Sequence, residues 1–91
     1  MNKGELIDAI AAGTGESKRV VGDVLDSLID HVQKEVKAGN KVSLPGFGTF
    51  EKRHRNARTG RNPQTGETIQ VAAADVPAFK PGAGFKSFVN G

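Results

Sequence analysis

The chain has 91 residues, no cysteine and a formal charge of +3, which leaves room for one small domain and excludes a disulfide framework or a cysteine-ligated metal site. The charge is unevenly spread: residues 1–51 hold six Lys and Arg against eight Asp and Glu, net −2, whereas residues 52–91 hold seven against two, net +5. A domain this small is marginal alone, so oligomerisation is the expected support, and the basic half points to a polyanionic partner. Glu5 and Asp8 interrupt the first apolar residues, so neither a signal-peptide core nor a membrane span is expected, and a cytoplasmic location is.

Asn2 and Glu5 have the spacing of a capping box for a short helix carrying Leu6, Ile7 and Ile10, ended by Gly13-Thr14-Gly15. Ser17 caps a longer helix with apolar residues at Val20, Val21, Val24, Leu25, Leu28, Ile29, Val32 and Val36, closed by Gly39-Asn40. Those positions fan over an arc of roughly 180°, wider than one short neighbouring helix covers. Either the helix is deeply buried in its own chain, or part of the arc meets a second subunit. Val42-Ser43-Leu44 and Thr49-Phe50-Glu51 read as strands around Pro45-Gly46-Phe47-Gly48, whose glycines permit positive φ. A last helix carries Phe85, Phe88 and Val89 after Lys80-Pro81-Gly82.

Between these elements, Lys52 to Arg61 holds five permanent cations, no acid and one alanine as its only apolar residue. Such a segment has nothing to bury, so it is either a disordered tail or an arm that becomes ordered on something negatively charged. Apolar, strand-like sequence on both sides favours the arm. Asn62-Pro63-Gln64-Thr65-Gly66 is turn chemistry, with Ile69 and Val71 expected to lead the returning strand back to the body. About eight residues per side at roughly 3.3 Å each would reach some 25 Å, enough to wrap around a DNA helix.

Gly46-Phe47-Gly48-Thr49-Phe50, Arg55, Arg58, Gly60-Arg61-Asn62-Pro63-Gln64-Thr65-Gly66 and Pro77-Ala78-Phe79-Lys80-Pro81-Gly82 together closely resemble the bacterial histone-like HU proteins, and the resemblance runs from Met1 to Gly91. It implies an α+β fold: an intertwined homodimer with an N-terminal helical hairpin, a β-sheet, two protruding β-ribbon arms and a short C-terminal helix. One domain, 1–91, is then expected, with a helical dimerisation part at 1–40, a sheet at 41–80 bearing the arm at about 52–72, and the last helix at 81–91. The implied function is a nucleoid-associated architectural protein that binds double-stranded DNA with little sequence specificity and bends and compacts it. The arms would lie in the minor groove, and the proline matching the family's wedge is Pro63. The alternative is one subunit of a site-specific bending heterodimer of the integration host factor type, and RNA remains open as a second polyanion.

The DNA-binding positions carried over are Lys3, Arg53, Arg55, Arg58, Arg61, Asn62, Pro63, Gln64, Lys80 and Lys86. Guanidinium groups on a narrow ribbon suit a groove lined by acceptors, and they release counterions from phosphates. Pro63 lacks an amide proton and presents an apolar ring, so it can enter a base step, although a rigid turn former is the plainer reading. Lys3, Lys80 and Lys86 could clamp flanking phosphates or be ordinary surface lysines. Phe47 and Phe50 could stack on bases but fit a dimer core better. His31 and His54 have no carboxylate or cysteine partner at useful sequence spacing, and Ser17 and Ser43 lack a nucleophile context. No enzyme, metal or cofactor is therefore expected. Gly4 and Gly84 sit where helix is expected and Val20 occupies the capping-box acid position, departures that concern local helix stability.

Overall fold

In the computed structural model, which describes Met1–Gly91, the chain forms α1 (Lys3–Thr14), α2 (Lys18–Lys37), β1 (Val42–Leu44), β2 (Gly48–Arg55), β3 (Arg58–Arg61), β4 (Thr68–Val71), β5 (Ala74–Pro81) and α3 (Ala83–Asn90). It divides into two units, Met1–Lys34 with α1 and most of α2, and Glu35–Gly91 with the end of α2, the strands and α3.

Local chemistry sets the helix ends. Asn2 Oδ1 accepts the Glu5 amide at 2.8 Å, and Gly15 closes α1 at φ 76° with its amide on the Ala11 carbonyl. Ser17 Oγ accepts the Val20 amide at 3.1 Å, so α2 is capped without the acid that a capping box would add. At its other end Gly39, φ 90°, donates to Val36 O and Asn40 donates to Glu35 O, the paired bonds of a Schellman motif. Within the first unit Ala11 and Val21 are buried, and Lys3–Asp26 and Lys18–Asp8 ion pairs link the two helices. Half of the α2 apolar arc is not covered by this chain: Val24 is 63% exposed, and Val20, Leu28 and Ile29 are exposed as well. The reading of α2 as a helix deeply buried in its own chain is therefore ruled out.

In the second unit β1, β2 and β5 form an antiparallel sheet in the order β1-β2-β5. Pro45 and Gly46 turn β1 into β2, with Gly46 at φ 82° and the Phe47 amide on Leu44 O at 2.9 Å, the pattern of a type II turn. Only one of the two turn glycines is there for positive φ. Gly48 is a strand residue, and a methyl group on it would lie 2.5 Å from the Phe79 ring and 2.7 Å from Lys80 O. Gly84 likewise is a matter of space, since a Cβ there would meet the Gly46 carbonyl oxygen at 3.0 Å. Gly4 has no such close neighbour, and nothing in the structure explains it. Phe47, Phe50, Phe79 and Phe85 pack with ring centroids 4.8–6.4 Å apart, joining turn, sheet and α3. Phe88 and Val89 point away from that cluster and are 88% and 69% exposed.

Candidate nucleic-acid interface

The basic segment is not a loop attached to the sheet but a continuation of it. β2 pairs with β5 from Gly48↔Pro81 to Arg55↔Ala74, and β3 pairs with β4 from Arg58↔Val71 to Arg61↔Thr68 in the same register. Strand pairing lapses at Asn56-Ala57 and Ala72-Ala73, then resumes. The arm thus has a base shared with the three-stranded sheet and a two-stranded outer part. As expected, Ile69 and Val71 lie on the returning strand β4, antiparallel to β3, though Ile69 itself stays outside the body. It lies in the outer ribbon opposite Gly60 and is 45% exposed, because a glycine partner offers no side chain to cover it. The return to the body is made by β5.

The tip is closed by its own polar groups. The Asn62 amide donates to Glu67 O at 2.8 Å, the Gly66 amide to Asn62 O at 2.8 Å, and Asn62 Oδ1 accepts the Gln64 amide at 2.9 Å. Gly66 takes the left-handed conformation at φ 72°. Asn62 is therefore committed to the turn, while Pro63 and Gln64 are exposed at the extremity.

Alternation along the strands sorts the charges. Thr49, Glu51, Arg53 and Arg55 share one face with their partners Lys80, Ala78, Val76 and Ala74; the opposite face carries Phe50 with Phe79, Lys52 with Pro77 and His54 with Asp75. On the first face Glu51 is buried, with a side chain only 7% exposed. Lys80 Nζ lies 3.1 Å and Arg53 Nε 3.2 Å from its Oε1, and Lys41 Nζ lies 3.7 Å from its Oε2. The hydrogen bond from Lys80 lowers the Glu51 pKa below its ordinary value, burial opposes this, and Arg53 and Lys41 lower it further. On the second face His54 Nδ1 donates to Asp75 Oδ1 at 2.9 Å, with Lys52 Nζ 3.9 Å from Oδ2. That hydrogen bond lowers the Asp75 pKa, burial opposing it and Lys52 assisting. His54 thus does have a carboxylate partner, 21 residues away and brought opposite it by strand register. Lys52 also donates to Lys37 O at 3.1 Å, tying the arm base to the last carbonyls of α2.

The ten positions expected to meet DNA fall into distinct settings. Arg55, Arg58 and Arg61 run along the arm and are exposed, with no carboxylate in ion-pair contact. Asn62, Pro63 and Gln64 form the tip beyond them. Arg53 and Lys80 meet at Glu51. Lys86 stands on α3 without an acid partner, and Lys3 belongs to the first unit, paired with Asp26. Glu51 and Lys41 were absent from the sequence-based set. Their weak signal is parity: Glu51 and Arg53 are two apart on one strand and so share a face.

The sequence matches the family described as Bacterial DNA-binding protein over residues 1–90. It is 56% identical over 90 residues to DNA-binding protein HU-beta of Pseudomonas aeruginosa, covering 99% of this chain and all of the relative. It is 50% identical over 91 residues to DNA-binding protein HU 1 of Bacillus subtilis, covering 100% of this chain and 99% of that one. Among solved structures, an Anabaena HU–DNA cocrystal structure superposes with a TM-score of 0.89 at 45% identity, covering 98% of this chain and 97% of that chain. HU from Thermotoga maritima superposes with a TM-score of 0.70 at 31% identity, covering 98% of both chains. A ribbon of acid-free arginines on an α+β scaffold and full-length identity at this level lead to one assignment: the chain belongs to the bacterial DNA-binding protein family, among the HU proteins.

Proposed function

We propose that this protein is an architectural DNA-binding protein, not an enzyme, that works as a homodimer in the cytoplasm on the nucleoid. It binds double-stranded DNA with little sequence preference and bends it. The observation that carries the reading is the arm: Arg55 at the end of β2 and Arg58 and Arg61 on the outer ribbon, all exposed, form a line of cations that no acid of the chain neutralises. Phosphates supply the missing counter-charge, and a ribbon this narrow fits a minor groove whose base edges are mostly acceptors. Lys80, Lys86 and Lys3 are proposed to meet flanking phosphates, and Asn62 and Gln64 to frame the tip.

Dimerisation is supported by what the single chain leaves uncovered. It exposes 7170 Å², against about 5,100 Å² expected for a folded monomer of its mass. Only Ala11 and Val21 are buried apolar residues. The excess is of the order one partner covers in an obligate dimer.

Bending is assigned to Pro63. Opening a base step costs a few kcal/mol in minor-groove benders generally, HU included, and an inserted apolar ring partly offsets it. A mobility-shift series on random-sequence linear, nicked and RNA-containing duplexes tests the binding. A protein that shifts none of them at low salt has another function. Pro63→Ala should lower the bend angle, read by fluorescence transfer between duplex ends, and weaken the preference for nicked duplex, with affinity for linear duplex little altered. Undiminished bending would make Pro63 a turn former only.

A further inference from the structure

Three cations from three strand segments converge on one carboxylate at the base of the arm. Lys41 precedes β1, Arg53 lies on β2 and Lys80 on β5, and all make ion pairs with the buried Glu51. The cluster carries a net charge of +2 on the same sheet face as Arg55. Ammonium and guanidinium groups this close would otherwise repel one another, so the carboxylate gathers them. It also occupies N–H donors that each would otherwise offer to a phosphate. A phosphodiester oxygen and a glutamate oxygen are the same kind of acceptor for these donors, and one cation cannot fully satisfy both.

We infer that Glu51 is a resident counter-anion that competes with DNA phosphate for Lys41, Arg53 and Lys80, so that it positions these cations while holding down the affinity for duplex. The inference rests on the DNA-binding reading above and assigns a limiting role to a residue outside the arm. The cluster differs in kind from Arg55, Arg58 and Arg61, which have no internal acid to leave. Cations already matched by Glu51 contribute less net charge to binding than their number suggests.

The test is Glu51→Gln, close to isosteric and still able to accept a hydrogen bond. Affinity for a random-sequence duplex of about 30 base pairs is measured at several salt concentrations, with thermal melts run on both proteins. Affinity should rise several-fold. The slope of log affinity against log salt should steepen by up to about 0.9 per chain, which widens the affinity ratio between 50 and 200 mM salt by roughly 3.5-fold per chain. In a Lys41→Gln, Arg53→Gln, Lys80→Gln background the gain should vanish. A folded Glu51→Gln protein whose affinity and slope are unchanged, or whose affinity falls, overturns the inference. Failure of the parent protein to bind duplex at all would instead overturn the functional reading. Should Glu51→Gln not fold, Lys80→Gln in the parent decides: the loss should be smaller than that of Arg58→Gln, and an equal or larger loss refutes the competition.

Discussion

Replacing Arg55, Arg58 and Arg61 together by alanine isolates the part of the charge that no internal acid matches. Each chain contributes three such cations, so the proposed dimer would bring six to the duplex. If each neutralises one phosphate, the slope of log affinity against log salt is about −5, and raising salt from 50 to 200 mM weakens binding roughly 10³-fold. If Arg53, Lys80, Lys86 and Lys3 together neutralise about four further phosphates per dimer, the parent loses about 10⁵ over the same range. The triple variant should lose about five units of slope and keep only the remainder. Arg55, Arg58 and Arg61 are all exposed, so the body should keep its helical signal and stability to within about 0.5 kcal/mol. Fluorescence anisotropy at four salt concentrations, with circular dichroism on the same samples, reads both quantities. A variant that retains the parent slope places the phosphate contacts elsewhere, and one that loses helicity shows that the ribbon is not an independent binding element.

Two further outcomes follow from the packing. Because the apolar arc of α2 and the Phe88-Val89 face of α3 are uncovered in one chain, the melting temperature should rise with protein concentration; a concentration-independent melt with a monomeric mass in sedimentation contradicts the dimer. Gly48→Ala places a methyl group against the Phe79 ring and the Lys80 carbonyl, and it should destabilise the fold by about 1–3 kcal/mol in denaturant unfolding; an unchanged midpoint would mean that the sheet yields there freely.

How far these features could be read from the chain depended on the range of the interaction. Asn2, Gly15, Ser17 and Gly39 act on amides and carbonyls a few residues away, so the helix ends were legible, as was the turn at Pro45-Gly46. The basic ribbon was legible because composition alone forbids it a core. Partnerships across strands were not. His54 and Asp75, or Glu51 and Lys80, are neighbours only through the register of β2 with β5, which no local signal sets. The same limit explains Gly48 and Ile69. Gly48 looked like turn chemistry when its smallness answers to Phe79, and the exposure of Ile69 follows from its cross-strand partner Gly60.

That register also grades the charge along the arm. Near the sheet, Lys41, Arg53 and Lys80 are matched by Glu51, and Lys52 and His54 by Asp75. Beyond Arg55 no acid touches a cation before the tip, where Glu67 gives only its backbone carbonyl to Asn62. The field acting on an approaching duplex is therefore strongest per cation at the outer ribbon, where the exposed arginines have no internal acid beside them and salt screens them. First contact by the outer arginines, followed by engagement of the sheet face only once phosphates can displace Glu51, is the order this gradient favours. Arg58 and Arg61 variants should then slow association, and Glu51 and Lys80 variants should act mainly on dissociation.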